Sequence, residues 1–405
     1  MRAIHSLFIA LSAISLPLLW LPMLLNGTLD DISQAIENNV LPDGTPLKTT
    51  YSGIPFFDNL LSILVAFFYA LANGSYLGPR LMLTDLGATL HVALGWMVIE
   101  SVRNGKKPWY LSLPGVFGVL WNIAGAGIVL PLYSLIHIQT PVKELGISIY
   151  HAKSLIPAML VSSIPFCMMI LSPTSGRYSA DQHQNTIAVF QFAPLVWIAA
   201  QYTFSFCLSL IDRMTKASLS DRSRTGIEHT STQLDSERKR RSNIYIQTTQ
   251  LFFAVYSAVV HLVCSFTALL SSDSSVTIFR VFVPNPIGVD RDSPQRLTQA
   301  AILFLQYDWL IICLTAIIYS YLLLEPELST TTKQVRWKAT PGSFVRLLVF
   351  LPIGKSLSSV IALLVFTILL GPSTVVSLAL WQYEKRLFSG ASLVEPEGRS
   401  IVKRD

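Results

Sequence analysis

The stretch LTQAAILFLQYDWLIICLTAIIYSYLLL, residues 297–324, is apolar along its length and contains one charged side chain, Asp308. About 20 apolar residues are enough for a helix to cross the hydrocarbon core of a bilayer. An acid at such a depth is costly, so it usually pairs with another polar group or takes part in chemistry. The stretch therefore predicts a membrane-spanning helix with a carboxyl group near its middle.

Similar apolar runs recur along the rest of the 405-residue chain, in which 51% of the residues are hydrophobic and 13% are charged. A soluble domain has roughly 25% charged residues. The other runs cover residues 4–25, 56–77, 81–102, 111–135, 149–172, 187–211, 244–271 and 343–381. We predict an all-α fold, a polytopic transmembrane helical bundle in which residues 1–405 form a single transmembrane domain. The prediction is about nine spans, with eight or ten as alternatives because Gly371 and Pro372 interrupt the last run.

The most basic connection, residues 212–243, sets the predicted orientation. Lys and Arg are enriched in cytoplasmic loops, so we place this segment in the cytoplasm, and its composition predicts disorder. Counting spans backwards places residues 26–55 in the lumen of the endoplasmic reticulum, where the sequon that begins at Asn26 could carry a glycan. Arg103, Lys106 and Lys107 fall on the lumenal side and disagree with this orientation, as does the basic C-terminal tail if 343–381 spans once.

Motifs for metal, nucleotide and nucleic-acid chemistry are absent from the sequence. The net charge of +6 is not accompanied by a nucleic-acid-binding motif. The histidines are scattered and the cysteines lie in apolar runs without a CxxC pair, so we predict no metal site. Asp30 and Asp31 make only half of an aspartate-rich magnesium motif. The sequence also lacks a P-loop, a nucleotide-binding GxGxxG and a GxSxG elbow, so we expect no cofactor, and acid–base chemistry remains.

Glu100 is the first candidate for that chemistry. It lies one helical turn after Trp96, on the same face. An acid beside an aromatic ring in apolar surroundings can keep its proton at neutral pH, as a general acid must. The alternative is an ion pair with Arg103 three residues later, although Arg103 could instead extend to the interface. We predict that Glu100 is catalytic.

Other acids occur in or beside the apolar runs. Asp58 is either a carboxyl group at the mouth of a lipid-facing cavity or a carboxylate favoured by a helix N-terminus. Asp308 either pairs with another span or protonates a substrate. We predict that Asp58 and Asp308, like Glu100, are candidate catalytic proton donors. We interpret Asp85 as structural, paired with Arg80, and Glu384 as interfacial because it lies at the end of a run.

The run 111–135 contains an unusual set of small and polar residues. The small residues 124–127, Ala-Gly-Ala-Gly, allow close approach of another helix. Asn122 and His137 are predicted either to orient the acid or to accept a final proton, with helix packing as the alternative. Four rings are predicted to line an apolar cavity that stabilises carbocations, unless they only pack the core: Trp96, Trp121, Tyr133 and Trp309.

The region from Tyr51 to His137 resembles a fungal family of integral-membrane terpene cyclases of meroterpenoid pathways, such as those to ascochlorin and ascofuranone. The residues that carry the resemblance are Tyr51-Ser52-Gly53 leading to Asp58, Glu100 followed by Arg103, and Ala124-Gly125-Ala126-Gly127 leading to Leu130-Pro131-Leu132-Tyr133 and His137. The detailed match covers about the first third of the chain, and hydropathy alone extends it further.

The resemblance implies that the substrate is a lipophilic prenylated small molecule with a farnesyl-type chain. Cyclisation would begin when an acid protonates a terminal epoxide or alkene, without a metal. A transporter of a lipophilic metabolite, with the buried carboxylates as a proton relay, is the alternative. A membrane scaffold without catalytic activity is a third hypothesis.

Overall fold

The computed structural model describes residues 2–105, 107–140, 146–173, 178–220, 231–290, 293, 295–324 and 355–394. These residues form helices and no β-strand, which confirms the all-α prediction for the part of the chain that is described. The α-helices are α1 (Arg2–Leu25), α2 (Thr28–Asn38), α3 (Pro55–Ala72), α4 (Leu77–Ser101), α5 (Pro114–Ala124), α6 (Ala126–Gln139), α7 (Ile149–Leu171), α8 (Ala180–Phe190), α9 (Ala193–Ser220), α10 (Ser231–Leu270), α11 (Ile278–Phe282), α12 (Arg296–Leu324), α13 (Lys355–Leu370) and α14 (Pro372–Val394).

Within the described residues, seven helical segments are long and apolar enough to cross a membrane. They are Ser6–Leu25, Pro55–Ala72, Leu77–Ser101, Ile149–Leu171, Ala193–Thr215, Ser236–Leu270 and Arg296–Leu324. The helices Pro114–Ala124, Ala126–Gln139 and Leu357–Leu370 are apolar but shorter. Large apolar side chains such as Phe206 and Leu270 face outward, as contact with lipid requires. These helices indicate membrane association, whereas the count of about nine spans and the location in the endoplasmic reticulum stay predictions.

Helices α4 and α12 are the most enclosed of these spans and form the centre of the bundle. Both contribute to a large apolar core with α1, α3, α6, α7 and α10. A second apolar cluster joins α6, α12 and α14 through Leu135, Tyr319, Val376 and Leu380. The polar residues of α4 and α12 therefore lie inside the protein and not toward lipid.

The run 111–135, expected as one span, is divided into α5 and α6 at Gly125. This residue has a φ of 102°, in the region that favours glycine. A Cβ atom added there would lie 2.6 Å from Cδ1 of Leu19. Helix ends at membrane depth need partners within the protein. Trp20 of α1 supplies one by donating its Nε1–H to the carbonyl oxygen of Ala124 at 3.0 Å.

Helix α1 also compensates for a proline inside α6. Pro131 has no N–H to donate to the carbonyl of Gly127, four residues earlier. The hydroxyl of Ser15 donates to that oxygen at 2.8 Å. The hydroxyl of Ser12 donates to the carbonyl of Ile128, also at 2.8 Å. Helix α1 is therefore an integral part of the bundle.

The last run, 343–381, also contains a break. Residues 343–354 lie outside the described part of the chain, and the rest forms α13 and α14, separated at Gly371, whose φ is 85°. The Nε2 atom of His261 on α10 lies 3.1 Å from the carbonyl oxygen of Ile368, near the end of α13. The structure thus contains two broken helices. The break at Gly371 lies where the sequence predicts an interruption of the last run, whereas the break at Gly125 was not predicted, because it does not disturb the apolar pattern.

The basic segment 212–243 is more regular than its composition indicated. Helix α9 continues to Ser220 and α10 begins at Ser231, while residues 221–230 lie outside the described part. Glu237 accepts a hydrogen bond from Arg241 one turn later, at 2.6 Å. Such pairs and the helix propensity of Arg, Lys and Glu stabilise helix in a polar sequence. The segment is therefore not irregular throughout, and its cytoplasmic location stays a prediction.

Candidate active site

Arg103 lies just beyond the end of α4, but it is buried and does not extend to the interface. Its side chain is 4% exposed. The backbone is fixed nearby because the ammonium group of Lys107 donates to the carbonyl oxygens of Glu100 at 2.8 Å and of Arg103 at 2.7 Å, and also to that of Ser101. A lysine that binds the last carbonyls of a helix terminates it and complements its dipole. The guanidinium group is therefore directed back into the bundle.

Two carboxylates share this guanidinium group. Nε of Arg103 donates to both oxygens of Glu100, at 2.9 and 3.0 Å. Nη2 of Arg103 donates to Oε1 of Glu384 on α14. The side chains of Glu100 and Glu384 are 14% and 4% exposed. The ion pair that we considered as the alternative for Glu100 is thus present, and it has a second, unpredicted acid.

A histidine and a tyrosine complete the group. Nε2 of His137 on α6 lies 3.6 Å from Oε2 of Glu100. The other ring nitrogen, Nδ1, lies 2.7 Å from the hydroxyl oxygen of Tyr319 on α12. We call Glu100, Arg103, His137, Tyr319 and Glu384 the Arg103 cluster. It joins α4, α6, α12 and α14 at the end of α4.

Several buried polar atoms beside the two carboxylates have no hydrogen-bond partner among the described residues. They are Nη1 of Arg103, Nε2 of His137 and the hydroxyl of Tyr133. The Tyr133 ring is stacked on that of His137, with centroids 6.3 Å apart. Buried polar groups nearly always have a hydrogen-bond partner, so buried groups without one indicate a functional site or a place for a ligand. Three potential donors are therefore available for an oxygen atom of a ligand.

The charges of the cluster determine its chemistry. Burial alone would lower the pKa of Arg103, but Glu100 and Glu384 outweigh burial and raise that pKa above its ordinary value. The guanidinium group is therefore permanently charged. Two carboxylates around one cation leave one negative charge, which a single additional proton would neutralise. A buried site with room for one additional proton can act as an acid and then as a base.

Asp308 occupies a different place, about 16 Å from Tyr319 along α12 by the helical rise of 1.5 Å per residue. Its oxygens accept hydrogen bonds from the backbone N–H of Gly127 at 2.5 Å and of Ala126 at 3.2 Å. A Cβ atom on Gly127 would lie 3.0 Å from Oδ1 of Asp308. The mid-span acid therefore caps the N-terminus of α6 and explains the glycine that follows the break. Its catalytic role stays a prediction that this geometry does not favour.

Asp58 is also bound by donors from its own chain. It accepts hydrogen bonds from the backbone N–H groups of Tyr51, Ser52 and Gly53, at 3.1, 2.6 and 3.0 Å. The Ser52 hydroxyl adds a fourth at 2.9 Å. A carboxylate that accepts several hydrogen bonds is stabilised in its charged form. Of the two interpretations, the geometry favours the structural one, in which Asp58 fixes the turn before α3.

Asp85 is structural, as we interpreted it, but its partner is not Arg80. Oδ1 of Asp85 lies 2.9 Å from Nδ1 of His261, and Oδ2 accepts a hydrogen bond from Nε1 of Trp309 at 2.9 Å. Asp85 is about 22 Å from Glu100 along α4 by the helical rise. The Asp85 group joins α4, α10 and α12 near the second helix break. It belongs to a separate part of the bundle.

The remaining predicted residues are divided between the cluster and the rest of the protein. Tyr133 and His137 lie in or beside the cluster. Trp96 packs against the α6–α12–α14 apolar cluster and donates its Nε1–H to Ser377 at 3.0 Å. Trp121 is buried in the main core, and Asn122 makes only a long 3.4 Å contact with the carbonyl of Gln191.

Two members of the cluster were not predicted, and the reason differs for each. Glu384 lies at the end of an apolar run, where an acid is normally interfacial, and its partner is 281 positions away in the sequence. Tyr319 lies in an apolar run, where its sequence context does not distinguish it from an ordinary core aromatic residue. For Arg103, the sequence did contain an indication of an unusual position: it falls on the side of the membrane opposite to that expected for a basic residue in a loop. Arg103 no longer counts against the predicted orientation, because it is buried in the bundle and is not a loop cation; the orientation itself stays a prediction.

Among the described residues, no three His, Cys, Asp or Glu side chains are grouped closely enough to hold a metal ion. Residues 4–388 match the CtvD domain family. The chain therefore belongs to this family.

Several relatives of the chain are named terpene cyclases. Terpene cyclase DEP1 of Alternaria brassicicola is 29% identical over 393 residues, which cover 94% of this chain and 98% of the relative. Terpene cyclase ascI of Acremonium egyptiacum is 25% identical over 356 residues, 83% of this chain and 84% of the relative. Terpene cyclase alnG of Emericella nidulans is 29% identical over 174 residues, 42% and 47% of the two chains. No solved structure matches. The resemblance to fungal terpene cyclases is thus confirmed.

Proposed function

We propose that the protein is a membrane-bound terpene cyclase that closes a ring on the farnesyl-type chain of a meroterpenoid precursor, without a metal. The observation that supports this most strongly is the Arg103 cluster, in which two buried carboxylates share one buried guanidinium group. Relatives named terpene cyclases cover almost the whole chain.

A terminal epoxide fits this site better than an alkene. The unpartnered donors of Arg103, His137 and Tyr133 can bind an oxygen atom, and an alkene has none to offer. A hydrogen-bonded epoxide oxygen is also readily protonated by a carboxylic acid. The donors position the oxygen for this proton transfer and remain hydrogen-bonded to the hydroxyl group that forms as the carbon–oxygen bond breaks.

The apolar part of the substrate requires an apolar environment. A cleft between α12, α13 and α14 is lined by Leu324, Leu363, Phe366, Leu370, Val375, Leu378 and Ala379. Ala379 belongs to the same apolar cluster as Tyr319. Glu384 lies further along the same helix. The cleft therefore places apolar side chains on the helix that carries Glu384, and exclusion of water by such side chains would protect a cationic intermediate.

One observation supports the transporter hypothesis, because broken helices are common in transporters. However, both breaks are held by side chains from other helices: Asp308, Trp20 and Ser15 at the first, and His261 at the second. A moving element of an alternating-access cycle would have to release these buried hydrogen bonds. The cyclase is therefore the better-supported function.

The test is an assay of the purified protein in detergent with a farnesylated phenol that carries a terminal epoxide, in the presence of EDTA. We expect a product of unchanged mass with a new ring, identified by mass spectrometry and NMR. A detergent solution has no compartments, so a transporter would leave the substrate chemically unchanged. Recovery of unchanged substrate would contradict the proposal, and so would a diol, which forms when water captures the cation.

A further inference from the structure

The position of the transferable proton in the Arg103 cluster follows from the hydrogen bonds, beginning with Tyr319. Its hydroxyl is buried, and its one contact among the described residues is Nδ1 of His137 at 2.7 Å. If the phenol donates, Nδ1 accepts and carries no hydrogen. If Nδ1 donated instead, the phenol hydrogen would have no described acceptor. The pair is satisfied when Tyr319 donates, so His137 is the neutral tautomer with its hydrogen on Nε2, facing Glu100.

A neutral His137 leaves the charge of the cluster unbalanced. Arg103 contributes one positive charge, and Glu100 and Glu384 would contribute two negative charges if both were ionised. Lys107 is the next cation, but it forms no ion pair with either carboxylate: its ammonium group donates to carbonyl oxygens at the end of α4, and the side chain is only partly buried, so that water screens its charge. Uncompensated buried charge is unfavourable, so one of the two carboxyl groups retains a proton.

The contacts of the two acids show which one retains it. The single Nε–H of Arg103 is shared between the two oxygens of Glu100. Nε2–H of His137 lies 3.6 Å from one of these oxygens, which is too long for a hydrogen bond but close enough to favour a negative charge there. Glu384 has one donor among the described residues, Nη2 of Arg103. The ionised form is favoured where more donors converge, which is at Glu100.

We propose that Glu384 carries the transferable proton of the Arg103 cluster and donates it to the substrate. Glu100 acts as a positioning residue, because its negative charge satisfies Arg103 and so leaves Glu384 protonated. Tyr319 is a second positioning residue, since it fixes the tautomer of His137. This proposal rests on the proposed function for the identity of the substrate, but the location of the proton does not depend on it.

The reaction balances as an isomerisation. The O–H bond of Glu384 breaks and its proton moves to the epoxide oxygen. The carbon–oxygen bond breaks with its electron pair going to oxygen, which becomes a hydroxyl group. The π electrons of a neighbouring alkene form the new carbon–carbon bond to the cationic carbon. The final cation loses a proton to the Glu384 carboxylate, which restores the acid.

The first test is infrared difference spectroscopy of the detergent-solubilised protein at pH 7. A protonated carboxyl group has a C=O stretching band that an ionised carboxylate lacks. We expect a band in the wild type that is lost in Glu384→Gln and persists in Asp308→Asn, the matched control for a buried acid elsewhere. An unchanged band in Glu384→Gln would overturn the proposal, whether or not the protein is a cyclase.

Stability and turnover give a second test. Glutamine has nearly the same shape and charge as protonated glutamic acid, so Glu384→Gln should keep the melting temperature of the wild type and lose at least about 100-fold in turnover. Glu100→Gln should melt at a lower temperature, because it leaves Arg103 without its main anion. Glu384→Gln with wild-type turnover would overturn the role as donor. An inactive wild type with an intact infrared band would refute the proposed function alone.

Discussion

The variant Asp308→Asn distinguishes most clearly between a structural and a catalytic role for a buried acid. An asparagine keeps one oxygen acceptor and replaces the other by an NH₂ group. One of the two backbone N–H groups of Ala126 and Gly127 then loses its partner. We expect the variant to be less stable than the wild type but to remain active when folded.

The size of the loss follows from the contacts. A buried donor left unsatisfied costs about 1–3 kcal/mol. Removal of a negative charge at a helix N-terminus adds about 0.3–1 kcal/mol. The free energy of unfolding of Asp308→Asn should therefore fall by about 1.3–4 kcal/mol.

The assay is reversible unfolding in mixed detergent–SDS micelles, followed by turnover per folded molecule. Thr315→Val is the matched control: Thr315 is buried on the same helix and its hydroxyl donates to the carbonyl of Ile311 at 2.8 Å. Its removal leaves no helix end unsatisfied and should cost about 1 kcal/mol or less. An Asp308→Asn variant with wild-type stability and no turnover would refute the assignment of Asp308 as a cap.

Three further predictions concern the first helix break and the buried His183. Gly125→Ala should lower the unfolding free energy by about 2–4 kcal/mol, because the new Cβ atom is strained by the backbone conformation and also overlaps its neighbours. Gly44→Ala is the control: its φ is 84° but the space around it is open, so it should cost about 1 kcal/mol. Equal losses in the two variants would contradict the close packing at the break. Ser15→Ala leaves the Gly127 carbonyl without a donor and should cost about 1–3 kcal/mol in the same assay, so an unchanged unfolding curve would refute that contact. Burial lowers the pKa of His183 from 6.5 to about 4, so the stability that depends on its neutral form is complete above pH 6.5 and is lost as the pH falls toward 4. The melting temperature of the wild type should therefore fall with pH over this range, and His183→Asn should remove this dependence. The same pH dependence of the melting temperature in both proteins would contradict the prediction.

Much of the fold could be predicted because apolar run length and membrane thickness are linked directly. The helix break at Gly125 could not be predicted, because this glycine lies within continuous apolar sequence. At Gly371 the sequence indicates an interruption, but what makes each break stable is supplied from elsewhere in the chain. Asp308 and Trp20 serve the first break, and His261 serves the second. Hydropathy records the apolar run but not these distant hydrogen bonds.

The candidate site was predictable only in part for a similar reason. Glu100, Tyr133 and His137 were identified because polar groups within apolar runs are unusual. The sequence predicts Glu384 to be interfacial, since its position gives no indication that Arg103 is folded back into the bundle. Asp308 and Asp58 are conspicuous in the sequence as acids in apolar runs, but the sequence does not show that backbone N–H groups donate hydrogen bonds to them.

The most direct test of the central claim, that the Arg103 cluster initiates cyclisation, is turnover per folded molecule in three matched variants. Glu100→Gln removes the charge that keeps Glu384 protonated, so its turnover should fall at least about 100-fold. Asp308→Asn and Asp58→Asn, which alter structural caps, should stay within about tenfold of the wild type. Wild-type turnover in Glu100→Gln, together with loss of turnover in either aspartate variant, would contradict the account.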